Sequence, residues 1–354
     1  MTENNNKMPK KYFGAANTYR GFISYFDRIF NSPDYERLYV IKGGPGTGKS
    51  SLMRKISKFF SEKNLDVEEI YCSSDPGSLD GVIISSDNKK IAILDGTAPH
   101  ERDAKIPGAI DEIINLANGL DKRWIRCKRE DILSLSKEKT EAYKSAYNYL
   151  SLAGSCAGII YESYNEHFDE FKAKSKAESI FENFTFCYKG KITTRFISSF
   201  SRYGQQNLNS LSALNSRNIK VRGDKISAGL FMNICYSILR SNRAEILNFP
   251  YCLDPSVSEA MYLPKERLII SYGADGEIDA DDFVSLQPLH KERIKIAKQI
   301  HSDALEEARR WFAIASDIHF RLEKIYGEAM NFEFNDRIIE EKITEIANIL
   351  EITI

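Results

Sequence analysis

Residues 38–60 read Leu38-Tyr-Val-Ile-Lys-Gly-Gly-Pro-Gly-Thr-Gly-Lys-Ser-Ser-Leu-Met-Arg-Lys-Ile-Ser-Lys-Phe-Phe60. An apolar, β-branched run (Leu38–Lys42) predicts a strand, and the apolar spacing after Ser50 predicts a helix. Between them stands Gly43-Gly44-Pro45-Gly46-Thr47-Gly48-Lys49-Ser50, the full pattern of a phosphate-binding P-loop in the strand–loop–helix context that the pattern requires. Glycines let backbone N–H groups close on phosphate oxygens with no Cβ in the way. The helix that starts near Lys49 adds its positive end. Lys49 is expected to reach the β- and γ-phosphates, the Ser50 hydroxyl to coordinate Mg2+, and Ser51 to complete the cradle. The expected ligand is therefore a nucleoside triphosphate, ATP or GTP, with magnesium.

A second acidic element is expected on a neighbouring strand. Lys90-Ile-Ala-Ile-Leu-Asp95 supplies it, with Asp95 in the magnesium shell. Further short strands are predicted at Val67–Cys72 and Gly81–Ile84, and a helix-like stretch at Ile106–Leu120. Alternating strands and helices predict a parallel α/β sheet with ligands at the carboxyl ends of its strands. Thr97 and His100 follow Asp95 closely and are candidates to contact the γ-phosphate or position water. The plainer reading of His100 is a loop histidine in a proline-containing turn.

The second half repeats the first in worn form. Thr18-Tyr-Arg-Gly21 matches Ser201-Arg-Tyr-Gly204, Lys42-Gly43 matches Arg222-Gly223, Tyr71-Cys72 matches Tyr251-Cys252, and Asp75-Pro76 matches Asp254-Pro255. Two apolar stripes agree as well, one from Tyr143 to Tyr164 and one from Leu305 to Tyr326, and predict two long, related helices. His319 lies on the second stripe and reads as a core or interface residue. At a spacing of 180 the second half places Gly229 opposite Lys49 and Leu230 opposite Ser50, and at the 177 that aligns the following strands it places Tyr272 opposite Asp95. That half is expected to bind no triphosphate. Asp75-Pro76 persists in both halves, so it reads as turn chemistry.

The blocks FGAANTYRGF (13–22), VIKGGPGTGKSSLMRKI (40–56), YCSSDPGSLDGVII (71–84) and DGTAPH (95–100) resemble an uncharacterised bacterial family of duplicated P-loop ATPases. The resemblance implies ATP as the nucleotide. In that family both halves can carry a P-loop, whereas here only the first does.

Composition narrows the partners. With 49 basic and 50 acidic residues among 354, no global charge points to nucleic acid or to a membrane. The basic segment Lys122–Arg129 surrounds Trp124 and reads as a solvated helix start. The acidic run Asp275–Asp282 lacks the spacing of a calcium loop. Six scattered cysteines (Cys72, Cys127, Cys156, Cys187, Cys235, Cys252) form no CxxC pair or Cys/His cluster and predict reduced thiols. No signal-like segment is present, and Leu150–Tyr161 is too short to span a bilayer, so a cytoplasmic protein is expected.

The combined expectation is a P-loop NTPase domain over residues 1–175, followed by a degenerate, non-catalytic repeat over 190–354. Lys49, Asp95 and His100 are the candidate catalytic residues, with Ser50 and Asp95 on the metal. Hydrolysis would drive or gate a change involving the packing of the two halves, with a protein partner admitted. The alternatives are a small-molecule or nucleotide kinase and a slow nucleotide-gated interaction protein.

Overall fold

The computed structural model describes residues 8–353 apart from 88, 185 and 187–189. Cys187 therefore lies outside the described residues. The chain is α/β, with two six-stranded sheets and flanking helices.

The first sheet is built from β1 (Lys10–Phe13), β2 (Arg37–Lys42), β3 (Asp66–Tyr71), β4 (Leu79–Ser86), β5 (Lys89–Asp95) and β6 (Asp111–Asn115), in the spatial order β1-β3-β4-β5-β2-β6. The second is built from β7 (Ile192–Thr194), β8 (Arg217–Arg222), β9 (Ile246–Pro250), β10 (Ser258–Leu263), β11 (Leu268–Tyr272) and β12 (Ile278–Asp279), in the order β7-β9-β10-β11-β8-β12. Strand for strand the two orders coincide, and so do the directions. In each sheet the third strand along, β4 or β10, runs antiparallel to both neighbours while the other pairs are parallel. Even the pairing irregularity recurs, between Ile70 and Tyr71 and between Phe249 and Pro250. The internal repeat is thus a repeat of topology, and the expectation of a purely parallel sheet is corrected to a mixed one. The cause is local: β4 ends at Ser86 and β5 begins at Lys89, too few residues apart for the crossover that a parallel pair needs.

Residues 106–120 form no helix. They give β6 and a short 3-10 turn, Leu116–Gly119. Ile113 and Ile114 favour a strand, and β6 pairs in parallel beside β2 from Leu38↔Asp111 to Lys42↔Asn115. Its counterpart β12 keeps only two residues.

Central strand β2 buries Leu38, Tyr39, Val40 and Ile41 completely, as a strand covered on both faces must. Helix α1 (Lys49–Glu62) turns Leu52, Met53, Ile56 and Phe60 inward at helical spacing. In the second sheet, α4 (Lys225–Ser241) likewise packs Phe231, Met232, Cys235 and Leu239 with Val221, Met261 and Ile270. Between them lie α2 (Arg129–Asn165, 37 residues) and α3 (Glu170–Phe181); after α4 come α5 (Pro288–Glu328, 41 residues) and α6 (Phe332–Ile349).

The compact units are not the two contiguous halves. One comprises residues up to Ala15, Ser24–Lys144 and Trp311–Ile354; the other comprises Ala16–Ile23 and Ser145–Arg310. Each sheet falls in its expected half, but the helices divide differently. In the first unit Leu135 and Ala142 of α2 are buried with Ala315, Ile318 and Leu322 of α5. In the second, Ile160 and Tyr164 of α2 meet Ile294 and Ala297 of α5. Each long helix is thus divided, its two ends buried in different units. Among the described residues no helix is long and apolar enough to cross a membrane.

This division makes a prediction about fragments. A chain ending at residue 175 lacks the buried α5 side chains Ala315, Ile318 and Leu322 and all of α6, so its first unit should fail to form. Urea titration followed by circular dichroism should show no cooperative transition for that fragment. A sharp transition would contradict the division described.

Candidate functional site

In the first unit β2 and β5 run side by side and in parallel, with Ile41 opposite Asp95. Residues 43–48 lead from the end of β2 into α1, whose first residue is Lys49. The Lys49 ammonium therefore faces the carboxylate at the end of the adjacent strand, at 3.6 Å from Asp95 Oδ2. It also donates to the carbonyls of Gly43 (3.1 Å) and Gly44 (2.8 Å), and both side chains of the pair are largely buried.

The loop has a second physical requirement that the sequence did not reveal. Gly46 and Gly48 have φ of +71° and +86°, the left-handed region. A Cβ on Gly46 would lie 2.3 Å from the backbone oxygen of Glu323, and one on Gly48 would lie 2.6 Å from Asn335 Nδ2. These glycines admit α5 and α6 as well as any ligand. Asn335 Nδ2 donates to the Thr47 carbonyl at 2.8 Å, and the buried Thr47 hydroxyl closes the loop on Gly44 O at 2.8 Å. Pro45 is half-buried, and Ser51 is exposed on the first turn of α1. Gly48 caps that helix without any side-chain hydrogen bond.

Ser50, Asp95 and a residue not singled out in the sequence, Asp80, make up the oxygen-bearing side of the site. Ser50 Oγ accepts from the Leu79 amide at 2.9 Å, which holds the hydroxyl against the start of β4. Asp80 is the next residue on that strand. Asp95 Oδ1 accepts from the Thr97 amide (2.9 Å) and hydroxyl (2.6 Å). Burial pushes the Asp95 carboxyl up; Lys49 pulls it back, and the neighbouring Asp80 charge pushes it further up. A hydroxyl and two carboxylates fit a hard, oxygen-seeking cation such as Mg2+.

His100 is buried, its ring stacked on Phe26 with centroids 3.7 Å apart. Nε2 lies 3.3 Å from Asp80 Oδ2 and Nδ1 lies 3.4 Å from Ser24 Oγ. The histidine thus bears on the site through Asp80. Asp80 had one sequence signal: the offset that aligns Asp75 with Asp254 also aligns it with Glu259, so an acid stands there in both halves.

Lys139 of α2 was also missed. It is half-buried, and burial together with the nearby Lys49 charge holds its ammonium below the usual lysine range, opposed by Glu323. Nothing in the spacing of residues 129–165 could single out one lysine of a long helix.

The matching place in the second unit is built differently. Only Gly223 and Asp224 separate β8 from α4, four residues fewer than separate β2 from α1. The first residue of α4 is Lys225, so Lys225 and not Gly229 stands where Lys49 does; Gly229 and Leu230 lie further along the helix. Tyr272 does end β11 opposite Val221, as Asp95 ends β5 opposite Ile41. Asp224 Oδ1 caps α4 through the Ile226 amide (2.9 Å), and Asp281 Oδ1 accepts from the Asp224 amide (3.0 Å) and the Ser227 hydroxyl (2.5 Å). Of the acidic run, Asp281 serves this cap, and Asp275 and Asp279 pair with Lys220 and Arg222. Asp75 and Asp254 both accept from the amide two residues on, which supports their reading as turn residues.

Elsewhere in the second unit Glu166, His167 and His290 bring ligand atoms within 4.8 Å of one another, a set that could hold a transition metal and that the scattered histidines concealed. His319 is partly exposed, 3.5 Å from Glu323. In the basic segment, Lys122–Cys127 is a short helix capped by Asp121, with no buried residue. Comparison with protein-family models, curated proteins and solved structures finds no match.

The Asp95 environment has a measurable consequence. A carboxyl whose pKa is higher in the folded than in the unfolded chain costs stability as pH rises through the window above the ordinary aspartate value, and the cost persists at neutral pH. In metal-free buffer Asp95→Asn should melt a few degrees above wild type at pH 7.5. The gap should narrow toward about pH 4, where the wild-type carboxyl takes up its proton in both states. A variant that melts lower than wild type across this range would refute the assignment.

Proposed function

We propose that the chain binds one Mg·ATP through a P-loop at Gly43–Ser50 and hydrolyses it. The observation that carries this is the contrast between the two helix starts. The N-terminus of α1 has no side-chain cap and is approached by a glycine loop, with Lys49, Ser50 and Asp95 converging on it. The N-terminus of α4 is sealed by the chain's own carboxylates. Helix-end donors need an anionic partner, and only the first unit leaves that place to a ligand.

In this reading Gly43, Gly44, Gly46 and Gly48 supply backbone donors, and Lys49 leaves the Gly43 and Gly44 carbonyls for the phosphates. Ser50 and Asp95 would hold Mg2+, joined by Asp80; the ion neutralises charge on the phosphates. Lys139 is a second phosphate cation, because two neighbouring ammonium groups repel each other until an anion offsets both. His100 fixes Asp80 and is a positioning residue. Phosphoryl transfer needs mainly placement and charge compensation, which this set provides. A second reading, slow turnover that gates an interaction, is favoured by one feature: Gly96, not an acid, follows Asp95.

Binding of ATP, ADP and GTP with and without magnesium, followed by phosphate release, tests the proposal. Lys49→Ala should weaken ATP binding roughly 10- to 100-fold, the worth of a hydrogen bond to a charged group. Unchanged affinity in that variant would remove the premise. Lys139→Ala should weaken ATP about tenfold while leaving the fold intact. Phosphate release without an acceptor supports hydrolysis, tight binding with negligible release supports the gating reading, and turnover only with an added acceptor would mean a kinase.

A further inference from the structure

The second unit has lost the phosphate cradle but not the hollow beside it. A cavity of about 800 Å³ opens at the carboxyl ends of β8 and β11, over the start of α4. Its size suits a small organic ligand, and its position is where open α/β sheets bind ligands. It lies wholly within this unit.

A phosphate is excluded by what already occupies the helix end. Asp224 and Asp281 take the donors that an anion would need, and Asp254 and Glu259 add negative charge nearby. At the rim Arg20 pairs with Asp254 at 2.7 Å, and Lys298 pairs with Asp224. Two charges of opposite sign are then left facing the cavity, Lys225 and Glu259. The Lys225 ammonium lies 3.6 Å from the Tyr251 ring centroid and only approaches Gln205 Oε1, at 3.5 Å. Glu259 accepts from the Ser198 hydroxyl. The two residues feel each other's charge, yet no ion pair joins them. Burial lowers Lys225 and raises Glu259, so each charge lacks the solvation it would have in water. The walls are Tyr19, Tyr251 and Tyr272 with Ile160, Leu230 and Met232, and the Tyr19 hydroxyl is fixed by His301 Nε2 at 2.7 Å.

We propose that this cavity binds a zwitterion with an apolar or aromatic body, an amino acid or short peptide, whose carboxylate meets Lys225 and whose ammonium meets Glu259. Such a ligand offsets both half-buried charges at once and adds no net charge to a lining whose cations and anions balance. A nucleoside would fill the aromatic space but leave both charges uncompensated.

Gly158 provides a clean test. It lines the cavity at an exposed edge on α2, and a Cβ added there would meet no atom within 4 Å, so Gly158→Leu brings bulk to the cavity and removes a helix glycine without a clash at the backbone. Isothermal titration of the whole protein would use the common L-amino acids, L-leucyl-L-phenylalanine, phenethylamine, 3-phenylpropionate and adenosine. At least one zwitterion should saturate the protein below about 10 mM and bind roughly tenfold tighter than either single-charge analogue. Lys225→Met should abolish its advantage over phenethylamine, and Glu259→Gln its advantage over 3-phenylpropionate. Gly158→Leu should eliminate binding while its melting temperature stays at or above that of wild type. The inference is overturned if no zwitterion binds, if adenosine binds more tightly, or if binding survives Gly158→Leu. It does not depend on the nucleotide reading: Lys49→Ala should leave the zwitterion affinity unchanged.

Discussion

A helix that begins where a strand ends must find partners for its first N–H groups, and the two ways this chain meets that demand organise both units. In one, six loop residues lead into a start of α1 that no carboxylate caps, with Lys49 and Asp95 facing each other beside it. In the other, two residues bring Asp224 into the capping position and Asp281 behind it. The difference is an electrostatic one. A carboxylate cap satisfies the helix and repels phosphate, whereas an open start holds its positive field for an incoming anion. The four missing residues of the second loop therefore matter more than the missing glycines, because they decide which atoms reach the helix end.

The glycines of the first loop are constrained from two sides. Gly46 stands against the backbone of α5 and Gly48 against Asn335 of α6, so a substitution there would disturb packing before it disturbed a ligand. Residues 311–354 belong to the first unit for the same reason: the loop, α1 and the start of α2 have their packing partners in the end of the chain. The site is therefore assembled from parts nearly three hundred residues apart in sequence, which gives loop, lysine and carboxylate a rigid surround without any one segment being long.

The sheets were legible in the sequence wherever a strand carries a continuous apolar run bounded by a turn. Leu38–Lys42, Val67–Cys72 and Lys90–Asp95 all fall on observed strands. Ile106–Leu120 was misread because a short edge strand and a 3-10 turn present apolar residues at mixed spacing, which a helical pattern also accommodates. The direction of β4 was not legible, since alternation reports which face is buried and not which way a strand runs. Candidate site residues stand out in the sequence when their proposed role depends on neighbours in sequence, as for Gly43–Ser50. They were hidden when the role depends on a fold contact: Asp80 acquires its place from the pairing of β4 with β5, and Lys139 from the packing of α2. The equivalence of Lys225 with Lys49 was hidden by a deletion, because a constant offset passes through a gap without registering it.

What the second sheet retains is as informative as what it lost. Tyr272 stands where Asp95 does and β12 has two residues where β6 has five, so the elements that differ most are those nearest the proposed phosphate and metal site. Yet the acid on the antiparallel strand persists, as Asp80 in one sheet and Glu259 in the other, and so does a lysine at the head of the helix. In the first unit His100 holds the acid beside Asp95, whereas in the second Ser198 holds it beside a cavity. Half-buried lysine and glutamate without an ion-pair partner cost stability, and a fold that needed only packing at this place would gain by replacing them with apolar side chains. Keeping both, in a hollow walled by tyrosines, is the arrangement expected of a surface shaped to receive charge from outside.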